Sequence, residues 1–138
     1  MKLTKFIFLI FSIVLLSCSQ KTLTINSSVK RINYPGVVGL SPFIGYKISF
    51  ENSSDFKIEK VQLNNDTKIK EFSLYNESTK KSISSANLLS KGKYMISFRA
   101  QNIKGVEKPE EVTIFILSKG KIEKKTAKVL IKKPFSLR

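Results

Sequence analysis

Apolar and polar residues alternate with a period of two along most of this chain. Ile44, Tyr46, Ile48 and Phe50 alternate with Gly45, Lys47 and Ser49, the period of a strand that buries one face. Tyr94, Ile96, Phe98 and Ala100 alternate in the same way with Met95, Ser97, Arg99 and Gln101. Phe56 and Ile58, followed by Val61 and Leu63, change phase around Lys60, which predicts a bulge within one strand. Phe72 with Leu74 predicts a short strand closed by Asn76-Glu77-Ser78, and Leu23 with Ile25 a first strand. A last, lysine-rich strand is expected from Ile122 to Ile131, after a turn at Lys119-Gly120. No stretch sustains spacing of three and four over three helical turns. Turn signals at Tyr34-Pro35-Gly36, Asn52-Ser53-Ser54-Asp55, Asn64-Asn65-Asp66, Lys91-Gly92 and Gly105 have the rhythm of an antiparallel sandwich. The pattern therefore predicts an all-β fold of about seven to eight strands.

One segment does not fit a single buried face. In Val112 to Leu117, Phe115 and Leu117 alternate with Ile114 and Ile116, so both faces are apolar. One set must leave the core unless another layer covers it, and left open it forms a docking patch. The segment 34–43, with Val37, Val38 and Leu40, is the expected cover.

The N-terminus has a different pattern. Lys2 and Lys5 precede an apolar run from Phe6 to Leu16 that only Ser12 interrupts, and Ser17 leads into Cys18. A membrane-crossing helix needs about 20 apolar residues, and this run has roughly half that. It reads as the helix of a signal peptide. Leu15-Leu16-Ser17-Cys18 resembles the lipobox of bacterial lipoproteins. The resemblance implies cleavage before Cys18 and a diacylglyceryl group on its thiol, with acyl chains enough for stable anchoring. The alternative is an ordinary secretory signal in which the cysteine is incidental. The expected organisation is a signal peptide over residues 1–17, a lipidated tether over 18–22 and one β-sandwich domain over 23–138. Ser19 and Gln20 follow the cysteine with no acidic residue. Within that family this implies the outer membrane, facing the periplasm.

Leu89, Gly92 and Tyr94 form L-x-x-G-x-Y at the start of a predicted strand. The motif resembles the tyrosine corner of immunoglobulin-like and fibronectin-III-like sandwiches, in which the tyrosine hydroxyl bonds back to upstream backbone. The resemblance implies an immunoglobulin-like β-sandwich in which Tyr94 is structural. A transthyretin-like sandwich is the alternative.

Composition prunes the chemistry. The chain has no histidine, which removes Ser-His-Asp and Cys-His arrangements and the commonest metal ligand. Its one cysteine is the acylation candidate, so no disulfide can form within the chain and the core must hold by packing. Glu51 with Asp55, and Glu107, Glu110 and Glu111, are the only local carboxylate clusters, and each reads as solvated loop charge. Asn64-Asn65-Asp66-Thr67 supplies a single carboxylate, too few for calcium. Gly36-Val37-Val38-Gly39 is an apolar turn instead of a phosphate cradle. No catalytic residue, metal ligand or cofactor is expected.

Charge supplies the remaining signal. There are 25 basic and 10 acidic side chains, a formal net charge of +15, and removing Lys2 and Lys5 leaves +13. Residues 119–138 hold eight basic residues against Glu123 alone. Lys124, Lys125, Lys128, Lys132 and Lys133 are accordingly candidates for binding an anionic partner: anionic lipid, lipopolysaccharide or another acidic polymer. The competing reading is an edge strand whose lysines block edge-to-edge aggregation. Nucleic acid is not expected, because the aromatics alternate into the core instead of lying among the lysines. The sequence points to a non-enzymatic binding or assembly subunit of the cell envelope, tethered through Cys18 and meeting an envelope protein partner. The alternative is a polyanion-binding module using the C-terminal lysines.

Overall fold

The computed structural model describes residues 22–133 as two sheets enclosing one core. The strands are β1 (Leu23–Asn33), β2 (Phe43–Asn52), β3 (Lys57–Leu63), β4 (Thr67–Lys68), β5 (Ser73–Asn76), β6 (Lys81–Ile83), β7 (Gly92–Ala100), β8 (Glu111–Ser118), β9 (Lys121–Lys128) and β10 (Leu130–Ile131). A six-stranded sheet has the order β10-β1-β2-β7-β5-β6, and a four-stranded sheet the order β4-β3-β8-β9. The architecture is all-β, as the alternation predicts, and is consistent with a sandwich. The signal helix expected at the N-terminus, and Cys18 with it, lie outside the described residues.

The alternating positions build the core. Ile44, Tyr46, Ile48 and Phe50 of β2 and Tyr94, Ile96 and Phe98 of β7 point inward from the larger sheet. Ile58 and Val61 of β3 and Val112, Ile114 and Ile116 of β8 meet them from the smaller one. Burying each such side chain is worth about 1.5–3 kcal/mol. The phase change in β3 is a bulge: the register with β8 shifts between Ile58 and Lys60, leaving both Ile58 and Val61 facing inward. The β8–β9 turn is a two-residue loop, Lys119-Gly120, with both residues at positive φ. That is the geometry of a hairpin turn whose twist matches its strands. Glycine takes the second position without strain, while Lys119 adopts φ 51°.

Four expectations need correction. First, the described residues form ten strands instead of seven to eight, because the short polar edge strands β4 and β6 carry no alternation. Second, the segment from Ile122 to Ile131 is two strands. β9 pairs antiparallel with β8, Val129 turns into the core, and β10 pairs with β1 of the other sheet as a parallel ladder. Val129, Leu130 and Ile131 are consecutive apolar residues, which one half-buried strand cannot accommodate. Third, β1 runs far past Ile25. A register shift between Ile25 and Ser27 changes its phase, so that the polar Ser28 and Lys30 face inward ahead of Ile32. Fourth, segment 34–43 does not cover β8. Tyr34, Val37, Val38 and Leu40 are exposed, and Val38 is fully so. On the outer face of β8, Leu117 stays exposed and Phe115 is partly covered by a neighbour. Lys60 Nζ lies 4.4 Å from the centre of the Phe115 ring, a lysine stem covering apolar surface with its charge in water.

Candidate functional site

Lys30 is the most deeply enclosed charge. Its side chain has 0% exposure, and its Nζ lies 2.5 Å from Glu110 Oε1 and donates to the Lys108 carbonyl at 3.0 Å. Tyr46 donates its hydroxyl to the same Glu110 oxygen at 2.7 Å, and Asn64 Nδ2 donates to Oε2 at 3.4 Å. Glu110 is therefore not the solvated loop charge that its neighbours suggest. It ties β1 of one sheet to the segment entering β8 of the other. Among the described residues its side-chain partners are all donors and no second carboxylate joins the network, so it is arranged to neutralise Lys30.

Burial, reinforced by the hydrogen bond to Glu110 and its negative charge, pushes the Tyr46 hydroxyl well above the ordinary tyrosine range. Burial also raises Tyr94. In the unfolded chain both ionise near pH 10. Between that value and their raised folded values, the unfolded chain has released protons that the folded chain retains, so stability is complete below about pH 10 and is lost as pH rises. Urea unfolding at pH 8, 10 and 11 is expected to show this decline, with a shallower slope in Tyr46→Phe. Identical slopes for wild type and variant would contradict it.

The other carboxylates form no comparable node. Asp55 Oδ1 accepts from the Lys91 backbone N–H, and Glu77 Oε1 accepts from the Ser49 hydroxyl. Among the described residues no group of three or more His, Cys, Asp or Glu side chains is placed to hold a metal.

The C-terminal lysines do not share one surface. Lys124 and Lys128 project from the outer face of β9, in register with Phe115 and Glu111. Lys125 is in register with the inward-facing Ile114 and is only half-exposed. Lys132 follows β10, its backbone N–H donating to the Lys30 carbonyl at 2.9 Å, and Lys133 is exposed beyond it. What Lys124 and Lys128 do share is the outer face of the four-stranded sheet. There Phe115, Leu117 and Ile122 form an apolar stripe, with Lys57 and Lys60 opposite it on β3. Strand β9 is one of the two edge strands of that sheet.

A second charged feature was not visible in the sequence. On the outer face of the six-stranded sheet lies a cleft of about 750 Å³. Arg31 of β1, Gly45 of β2 and Arg99 of β7 form one cross-strand row, so two guanidinium-bearing residues flank a position with no side chain. Lys47 and Lys132 also line the cleft, and Glu71 is the only carboxylate among its lining residues. Arg99 is seated 4.4 Å over the Phe43 ring. The signal lay in strand register, which decides what faces what and cannot be read from spacing alone. No family model, curated protein or solved structure matches the chain.

Proposed function

We propose that this chain is a bacterial cell-envelope lipoprotein, tethered through acylated Cys18 at the outer membrane facing the periplasm, and that its immunoglobulin-like β-sandwich is a non-enzymatic binding or assembly subunit. The tyrosine-corner reading is supported by Tyr94, whose hydroxyl donates to the Ser90 carbonyl at 2.7 Å. The observation that carries the functional reading is the β1–β2 loop. It exposes Tyr34, Val37, Val38 and Leu40 together, where an isolated domain gains nothing from apolar residues. Strand β1 starts five residues after Cys18 and extends for 11 residues. At about 3.3 Å per residue, the loop lies roughly 35 Å from the tethered end of the strand. A lipid anchor at one end thus leaves an apolar contact surface at the other, the arrangement of a subunit that reaches a protein partner.

A mild-detergent pull-down from native membranes tests this, comparing wild type, Cys18→Ala and Val37→Asp/Val38→Asp, read by mass spectrometry after low- and high-salt washes. A defined protein partner that survives high salt and is lost in the loop variant is the expected result. Capture that ignores the loop and disappears with salt would overturn it in favour of polyanion binding. That second reading is favoured by the lysines around the apolar stripe of the four-stranded sheet, and it expects Lys124→Glu/Lys128→Glu to abolish the salt-sensitive capture.

A further inference from the structure

The cleft on the six-stranded sheet has the makings of a separate site. We propose that it binds an acidic saccharide, a sugar unit bearing a phosphate or carboxylate group. This goes beyond the membrane-tethered reading and depends neither on Cys18 nor on the β1–β2 loop.

Three observations converge on that ligand class. The first is charge placed across a gap. Adjacent strands lie about 4.8 Å apart, so the backbones of Arg31 and Arg99 stand roughly 10 Å apart on either side of Gly45, with the Asn33 amide lying over the glycine between them. Lys47, two residues along β2, and Lys132 at the rim add two further cations to those walls. Guanidinium groups match phosphate and carboxylate oxygens in a planar, two-pronged way that ammonium groups do not.

The second observation is that the walls are fixed before any ligand arrives. Arg31, Gly45 and Arg99 stand on three adjacent strands in the middle of the sheet, and Arg99 is held over the Phe43 ring. Gly45 makes room for a neighbouring side chain: a Cβ there would lie 2.6 Å from Asn33 Nδ2. The Asn33 amide instead folds across the glycine, donating to the Arg31 carbonyl at 3.3 Å. Arg99, seated on the Phe43 ring, has less conformational freedom to lose on binding.

The third observation is the uncharged lining. Ser73, Ser97, Asn33 and Gln101 offer hydroxyl and amide groups, and Phe72 adds an aromatic wall. Such a mixture suits a hydroxyl-bearing ring better than a bare inorganic ion or an acyl chain. The volume falls in the range of small-molecule sites, about 300–1,000 Å³.

Isothermal titration of the full-length chain in mild detergent tests the proposal, using glucose 6-phosphate, a glucuronate-containing disaccharide, inorganic phosphate and maltose at low salt. Saturable binding of at least one acidic sugar, about tenfold tighter than inorganic phosphate and with maltose silent, is the expected outcome. Loss of one charge-assisted contact corresponds to about tenfold or more in affinity, so Arg99→Ala and Lys47→Ala are each expected to weaken binding by that factor. Gly45→Val displaces the Asn33 amide from the floor and is expected to abolish binding, while Lys124→Ala/Lys128→Ala on the other sheet leaves it within twofold. If Gly45→Val unfolds the chain, the exposed Arg99 carries the test alone. No saturable binding, equal affinity for inorganic phosphate and the acidic sugars, or a loss that follows Lys124 and Lys128 instead of Arg99 would each overturn the assignment.

Discussion

Glu110→Ala is expected to destabilise the fold by about 3–5 kcal/mol, the range for removing one partner of a buried ion pair. The reason is Lys30, which keeps its ammonium in a place with 0% exposure. Without the carboxylate, it retains only the Lys108 carbonyl among its described acceptors, and Tyr46 loses the acceptor for its hydroxyl. Lys30→Met is expected to cost less, because Glu110 retains some exposure and still accepts from Tyr46. The double replacement Lys30→Met/Glu110→Leu removes both charges together and is expected to recover most of the loss, since apolar substitutes for a buried pair are often neutral or better. Urea unfolding of the four proteins measures this. A loss below about 1 kcal/mol for Glu110→Ala would mean that water reaches Lys30 and that the node is not a sheet-to-sheet tie.

Phe50→Ala is expected to cost a similar 3–5 kcal/mol, by opening a cavity at the centre of the sandwich. Phe50 is fully buried, and its ring centre lies 5.9 Å from those of both Phe56 and Tyr94. Phe56 and Tyr94 meet edge to face at 5.4 Å, and Phe56 exchanges two backbone hydrogen bonds with Leu89, just before the Tyr94–Ser90 bond. The cavity therefore opens beside the Tyr94–Ser90 bond. A domain of this size has only about 5–15 kcal/mol in total, and no disulfide within the chain can offset the loss. Phe50→Leu keeps most of the volume and is expected to lose much less. Thermal or urea unfolding that shows the alanine variant within about 1 kcal/mol of wild type would mean that the surrounding rings collapse into the space.

Legibility in the sequence followed how closely each strand obeys the two-residue period. Strands β2 and β7 sit at the centre of their sheet with one wholly apolar face, and their alternation is visible without a structure. The bulge in β3 was legible because the apolar set steps from one face to the other. β1 was legible only as far as Ile25. Beyond the register shift its first inward positions are Ser28 and Lys30, before Ile32 meets the core, and a buried lysine reads as an exposed one until its partner is known. That partner lies 80 residues away. The candidate lysines illustrate the same limit: the charge run after Lys119 is plain in the sequence, yet β9 and β10 divide it between two sheets.

What the sequence determined by itself is the fold class, most of the core and the turns, because side-chain alternation and turn chemistry act over a few residues. It also excluded histidine chemistry and disulfides within the chain by composition alone. Only the tertiary structure decided that Lys30 pairs with Glu110, that Val129 carries the chain from one sheet to the other, and that Arg31 and Arg99 face each other across Gly45. Each of these depends on strand order and register between distant segments. A shift of one residue in pairing moves every side chain of a strand to the opposite face, so no local pattern can specify them.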